Sequence, residues 1–402
     1  MQAVSLTIPG EFWDSQIYSG KLYLFGADHS LHVYHWARAV DSVISRYPAM
    51  QTAIRIAFLD GQILYTEPGR LLASDPAVRD VIQKQLLQLA STADLQVNFD
   101  AAAGKFLKIR DNPFPYPHAD SEVYYHQMYV GLKQGLFHAS TSSLEGVNIN
   151  DVQKRWDSAV FSVKASHNYT TLACAAGDEG LREFGVFDAE DKPTSSEPTL
   201  VSKRMCTACD WSYQSIFGSA PGASGFLASF KKKKISDTRY QRVADRVVPS
   251  DEIFHGEGIS WGCKDKIFNF KDGNLSVKTY DPRLGTSEIA GVTNPKIPEK
   301  QFLDKGTHDI SGQGTLKSGD DIVSTAAAPF GSVVETHDGL QVIRSDNVFE
   351  FIEGEPVSWR VFPRSDNYGN QLHIIYEDRI EIRTYVHDYF VDQASKWAGI
   401  IR

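Results

Sequence analysis

The chain has 402 residues, 42% hydrophobic and 23% charged, a globular composition without the bias of a disordered one. Its net charge of −9 argues against a protein built mainly to hold nucleic-acid backbone, which needs a positive surface. Four cysteines are too few for a disulfide scaffold, and no apolar run reaches the ~18 residues of a membrane span.

Residues 1–35 carry Trp13-Asp14 and then a hairpin whose second strand opens at Leu31. The start lacks the basic and apolar regions of a signal peptide, so a soluble cytoplasmic protein is expected, and Asn168-Tyr169-Thr170 and Asn274-Leu275-Ser276 read as chance glycosylation patterns. Trp36, Val40, Val43, Ile44 and Tyr47 fall at helical spacing and predict a short amphipathic helix ended by Pro48. A second hairpin is predicted across Asp60-Gly61, opening at Ile63. Ser74-Asp75-Pro76 starts a helix over 74–91, where Val78, Val81, Ile82, Leu86 and Leu89 make one apolar stripe. Residues 70–104 therefore read as a helical insertion, its stripe expected to cover its own domain. A three-proline loop over 111–122 holds Phe114 and Tyr116, and 140–156 reads as a polar connector.

From Ala159 the pattern becomes regular, with hairpins near Leu181, Phe226 and Leu275 and polar loops such as Asp188–Pro198 between them. The clearest hairpin spans Ser260–Pro282. Its Asp272-Gly273 pair supplies the positive φ of a tight two-residue turn. Residues 283–324 are poor in apolar side chains and read as a long loop insertion. Strands return at Gly331 and run to Tyr385, and 387–402 reads as either a docking helix or a closing strand.

One motif recurs along the chain: an apolar strand, an acidic or glycine turn, then a large apolar residue opening a second strand. Eight such anchors, Leu31, Ile63, Leu136, Leu181, Phe226, Leu275, Leu340 and Ile380, lie 32, 73, 45, 45, 49, 65 and 40 residues apart. A four-stranded propeller blade takes about 40–45 residues. The repeat resembles β-propeller proteins of the WD40-like kind, at the level of fold, although the units lack regular Trp-Asp ends. That resemblance implies an all-β protein: a β-propeller of about seven blades in a single domain over 1–402, with the insertions at 70–104 and 283–324. It also implies closure by one terminus pairing into the blade begun by the other.

Candidate chemistry is sparse. Cys206-x-x-Cys209 has metal-ligand spacing but no second pair, so zinc stays an open alternative to buried apolar packing, with isolated Cys174 and Cys263 as the remaining thiols. His255 and Glu257, and Glu335, His337 and Asp338, are the densest histidine and carboxylate groups. Alternation on a strand would point each pair to one side, for acid–base work, whereas turn and strand-end roles are the plainer reading. Lys231, Lys232, Lys233 and Lys234, followed by Arg239, Arg242 and Arg246, are the one basic concentration, suited to an acidic partner or to a solvated strand edge. Gly218, Gly222 and Gly225 fit no nucleotide-binding spacing and read as a turn.

The expected function is a non-enzymatic scaffold or adaptor holding other protein subunits in a complex, without a cofactor. The two insertions would serve as recognition elements, with Phe114 and Tyr116 as anchors where exposed. The alternative is a propeller-type hydrolase or lyase using the histidines and carboxylates at a central channel. Nucleic-acid binding through the lysine run is the weakest expectation.

Overall fold

The computed structural model describes residues 3–92, 95–97, 106–145, 152–186, 198–236, 240–263, 265–281, 286–289, 292–295, 301–310, 319–344 and 348–385. Among these residues the chain forms seven four-stranded antiparallel sheets and one two-stranded hairpin. In chain order, sheet 1 holds Phe12–Tyr18, Lys21–Gly26, Ser30–His35 and Leu107–Asp111. Sheet 2 holds Asp120–Tyr124, Gln127–Leu132, Gly135–Ser140 and Gln153–Trp156. Sheet 3 holds Ser162–Ala165, Thr171–Ala175, Leu181–Gly185 and Thr199–Ser202. Sheet 4 holds Ala208–Ser212, Ser215–Ala220, Ala223–Lys234 and Tyr240–Pro249. Sheet 5 holds Ile259–Cys263, Lys266–Lys271, Asn274–Tyr280 and Phe302–Asp309. Sheet 6 holds Ile322–Ala328, Gly331–Thr336, Gly339–Arg344 and Phe349–Glu353. Sheet 7 holds Ser358–Val361, Gln371–Ile375 and Arg379–Thr384, and its fourth strand is Val4–Pro9 from the other end of the sequence.

Seven of the eight anchors are the first large apolar residue in the third strand of a sheet, and all seven are buried. An interior strand has neighbours on both sides, so its first large apolar residue is enclosed as soon as the turn is made. Lys271–Asn274 is closed by Asp272 and Gly273, both at positive φ, as the tight turn requires. Gly218 is a strand residue rather than a turn. It pairs with Phe226, and a Cβ there would sit 2.7 Å from the Phe226 ring, so only glycine admits the anchor.

The eighth anchor fails. Ile63 lies in a short 3-10 turn, Ile63–Tyr65, and the chain before it is helix rather than hairpin. Four helices follow sheet 1's third strand: α1 (Trp36–Ile44), α2 (Gln51–Phe58), α3 (Glu67–Ser74) and α4 (Pro76–Ala90). Gln51–Phe58 alternates poorly for a strand. Ala53, Ile54, Ala57 and Phe58 are buried along a helical stripe instead. Asp75 caps α4 by accepting from Ala77 N at 2.8 Å, with Pro76 in the first turn.

Two compact units are distinguished, one of residues 1–113 and 327–402, the other of 114–326. In the first, α4 and the segment at Leu95–Val97 cover the outer edge of Val4–Pro9. Thr7 N donates to Leu95 O at 2.8 Å and Val97 N donates to Thr7 O at 3.0 Å. Leu86, Leu89, Leu95 and Val97 join Leu6, Ile8, Ile380 and Ile382 in one core. The outer edge of the N-terminal strand is thus bridged at Thr7 and covered by apolar packing. The strand that completes sheet 7 is Val4–Pro9; residues 386–402 lie outside the described ones.

In the second unit, two spans expected as irregular contain strands. Residues 140–156 include a short helix, Thr141–Glu145, and sheet 2's fourth strand. The described part of 283–324 includes the hairpin of Thr286–Ile289 with Val292–Pro295, and Phe302–Asp309 paired along Asn274–Tyr280. Phe302–Asp309 is polar because it is an outer strand, exposed along most of its length, so its sequence carries no apolar alternation. Asp188–Pro198 lies almost wholly outside the described residues.

Candidate interaction site

Within each unit, consecutive sheets are stitched together by polar side chains. In the second unit, Asp120 accepts from Val163 N at 2.9 Å and from Lys164 Nζ at 2.8 Å. Trp211 Nε1 donates to Lys164 O at 2.8 Å, and Ser215 Oγ meets the Tyr280 hydroxyl at 2.9 Å. In the first unit, Trp359 Nε1 donates to Glu335 Oε2 at 2.8 Å and Arg360 Nη2 to Asp14 Oδ1 at 2.8 Å.

The turns between first and second strands carry the most distinctive feature of the second unit. Tyr125, Tyr169 and Tyr213 recur every 44 residues, one at this turn in each of sheets 2, 3 and 4. Tyr125 and His126 are the two loop residues of Tyr124–Gln127, at φ of 47° and 60°. Tyr213 follows Ser212 at φ 53°. A bulky residue at positive φ is an outlier, because its Cβ crowds the following carbonyl at a cost of roughly 1–2 kcal/mol. Glycine, asparagine or aspartate would make these turns with less strain. Tyr125 and Tyr213 are nevertheless 45% and 43% exposed, so burial does not explain them.

Hydrogen bonds join the three turns into one row. Tyr124 donates from its hydroxyl to Tyr169 O at 2.7 Å, and Asn168 Nδ2 donates to Tyr213 O at 3.2 Å. Beside the row, sheet 4 continues as a ribbon. Ala223–Lys234 pairs with Ser215–Ala220 only as far as Ala228, but with Tyr240–Pro249 out to Lys234. The six residues beyond Ala228 make a two-stranded extension of about 20 Å at 3.4 Å per residue. Arg242 clamps its base. The guanidinium lies 3.2 Å, 4.4 Å and 5.3 Å from the ring centroids of Phe230, Tyr169 and Trp211. It also pairs with Glu183 and donates to Gln214 O at 3.0 Å. Burial draws the Arg242 pKa down and Glu183 opposes that, so the charge is held in place.

The residues singled out in the sequence fall as follows. Lys231, Lys232, Lys233 and Lys234 are exposed on the ribbon, Lys231 paired with Asp245 at 2.6 Å. Arg239 lies outside the described residues. Phe114 is buried and so presents no anchor, whereas Tyr116 is exposed. His255 ends a short helix, Ser250–Phe254, in the left-handed conformation, and Glu257 follows in the same turn, so the two do not share a strand face. Glu335 is on a strand and is held by Trp359, while His337 and Asp338 are in the exposed turn after it. Cys206 and Cys209 are buried in an apolar cluster with Trp211 and Phe226, and burial pushes the Cys206 thiol up to about 12. Cys174 is likewise buried, and the Cys263 side chain lies outside the described residues. Among the described residues no group of three or more His, Cys, Asp or Glu is arranged to hold a metal.

Ser15 Oγ meets His373 Nδ1 at 3.1 Å, which has the outline of a nucleophile and its base. Both side chains are sealed from solvent, and His373 Nε2 faces Gln371 rather than a carboxylate. Burial, with Arg360 nearby, holds the His373 pKa down to about 3. The contact is a structural stitch, continued by Gln371 Nε2 donating to Phe58 O at 3.1 Å.

In the first unit, the stripe of α4 is divided. Leu86 and Leu89 are buried, while Val78 and Val81 are exposed, as are Leu71 and Leu72 of α3 at 73% and 64%.

No protein-family model matches the chain, and no curated protein matches it. Among solved structures it is similar to the crystal structure of the computationally designed Ika8 protein, at 9% identity and a TM-score of 0.42, over 96% of this chain and 100% of that one. A likeness of that size carries no argument. Among the described residues no helix is long and apolar enough to cross a membrane.

Proposed function

We propose that the chain is a seven-bladed β-propeller that acts as a non-enzymatic scaffold, binding another protein through the tyrosine turns of sheets 2 to 4. The propeller reading is supported by seven four-stranded sheets, by side-chain stitches between consecutive sheets within each unit, and by an N-terminal strand completing the last sheet.

The observation that carries the binding reading is Tyr213, exposed on a turn where its backbone is strained. Strain that burial does not repay persists where the side chain has another use. Tyrosine gives large, rigid contact area at low entropic cost, and with arginine it dominates binding hot spots. The aliphatic residues Leu71, Leu72, Val78 and Val81 form a second candidate surface, on the helical insertion.

The test is quantitative affinity capture from the native host with wild type and a Tyr125→Ala/Tyr213→Asn variant. A protein recovered near one-to-one with wild type and depleted by about tenfold or more with the variant is expected, as loss of two hot-spot aromatics implies. Equal recovery by both proteins, or no stoichiometric partner, would overturn the reading.

A further inference from the structure

The lysine ribbon adjoins the tyrosine row, and its chemistry narrows the partner. We propose that the ribbon of residues 229–234 and 240–246 takes an extended acidic segment of the partner protein, added as a strand along its edge. This rests on the scaffold reading above.

Three observations carry it. First, the ribbon has backbone to offer. Pairing with Ser215–Ala220 stops at Ala228, and among the described residues no strand continues along the far side of Ser229–Lys234. A peptide strand can hydrogen-bond to that edge. Nucleic acid has no backbone of matching pattern to pair there.

Second, the edge discriminates by charge. Lys232 and Lys234 alternate with Lys231 and Lys233, so both faces carry ammonium groups. Arg242 stands across from Lys232, but Glu183 takes up its charge, so the positive charge offered to a partner is that of the lysines. A neutral or basic strand added here would bring no counter-charge, and a second copy of the same strand would meet lysine with lysine. An Asp- or Glu-bearing strand places its carboxylates beside those ammoniums.

Third, the ribbon is held ready. Arg242 is fixed by Glu183, by Gln214 O and by three aromatic rings, so the base of the ribbon is anchored before any partner arrives. Gln214 is the neighbour of Tyr213, and Tyr169 is one of the three rings, which makes the lysine edge continuous with the tyrosine row. The body of the protein is acidic overall, so this ribbon is the local exception in its field.

The experiment is fluorescence anisotropy on the full chain with two labelled probes of equal length and similar charge: an oligoglutamate peptide and an oligothymidylate strand. The peptide is expected to bind more tightly than the oligonucleotide. Its affinity should fall about tenfold or more in a Lys232→Glu/Lys233→Glu/Lys234→Glu variant, with circular dichroism unchanged. It should also weaken as salt is raised. Absence of peptide binding at low salt, an unchanged affinity in the reversal variant, or tighter binding of the oligonucleotide would each overturn the proposal. The scaffold reading fails separately. If partner capture depends on Tyr125 and Tyr213 but survives the lysine reversal, the scaffold stands and the acidic strand does not.

Discussion

The Tyr124 hydroxyl donates to the backbone carbonyl of Tyr169 at 2.7 Å, so the turn of one sheet is tied to the loop of the next. Removing that hydroxyl leaves a carbonyl without this donor while preserving the ring. Tyr124→Phe should cost about 1 kcal/mol in urea unfolding, the usual net worth of one such bond. Amide exchange over 166–170 should quicken. Unchanged exchange there would show that the loop is positioned by other contacts.

Arg242 is at once a cation over three rings and the partner of Glu183. Arg242→Lys keeps the charge but loses the planar group that stacks and donates in a fork. It should lower stability by about 1–2 kcal/mol, whereas Arg242→Ala, which leaves the largely buried Glu183 without its cation, should cost about 3 kcal/mol or more. Near-equal stability of the lysine variant and wild type would show that stacking contributes little.

His373 makes stability depend on pH in a defined direction. Its folded pKa is held down to about 3, against 6.5 for the exposed side chain. Below pH 6.5 the unfolded chain takes up a proton that the folded chain refuses. Stability is therefore flat from this group at higher pH and falls by up to roughly 1.4 kcal/mol per unit as acid is added, until the folded pKa is reached. Urea titrations at several pH values should show a shallower acid slope for His373→Gln than for wild type. Parallel slopes would assign the acid sensitivity elsewhere.

The divided stripe of α4 predicts opposite outcomes on one helical insertion. Leu86→Ala or Leu89→Ala removes a buried side chain and should cost about 2–5 kcal/mol. Leu71→Glu and Leu72→Glu alter exposed positions and should stay within about 0.5 kcal/mol of wild type. A large loss from the exposed pair would mean that the face is already covered in the free protein.

Much of the architecture is legible in the sequence because the interior strands advertise themselves. Leu136, Leu181, Phe226 and Leu275 each follow a glycine or acidic turn and are enclosed immediately, so turn chemistry and apolar pattern coincide. Outer strands do not behave this way. Phe302–Asp309 is exposed along most of its length and polar, and nothing in its composition separates it from a loop. Ile63 misled because Asp60-Gly61 looks like a hairpin turn, whereas the helical stripe of Gln51–Phe58 decided the conformation. Phe114 was visible as an aromatic in a proline loop, but its burial is a tertiary fact. The tyrosine row was present in the numbering, at 125, 169 and 213. It stays hidden to a reading that treats turn residues as punctuation, because only the backbone reveals that Tyr125 and Tyr213 occupy positive φ.

The central claim is that the exposed Tyr213 ring serves contact with a partner more than it serves the stability of its turn. Thermal unfolding of Tyr213→Asn tests it most directly, since asparagine tolerates the left-handed conformation and removes the ring. The account predicts a midpoint equal to or above that of wild type, together with loss of the captured partner. A midpoint lower by more than about 2 °C, the order of 1 kcal/mol in a protein of this size, would contradict it and make the tyrosine a structural residue of the turn.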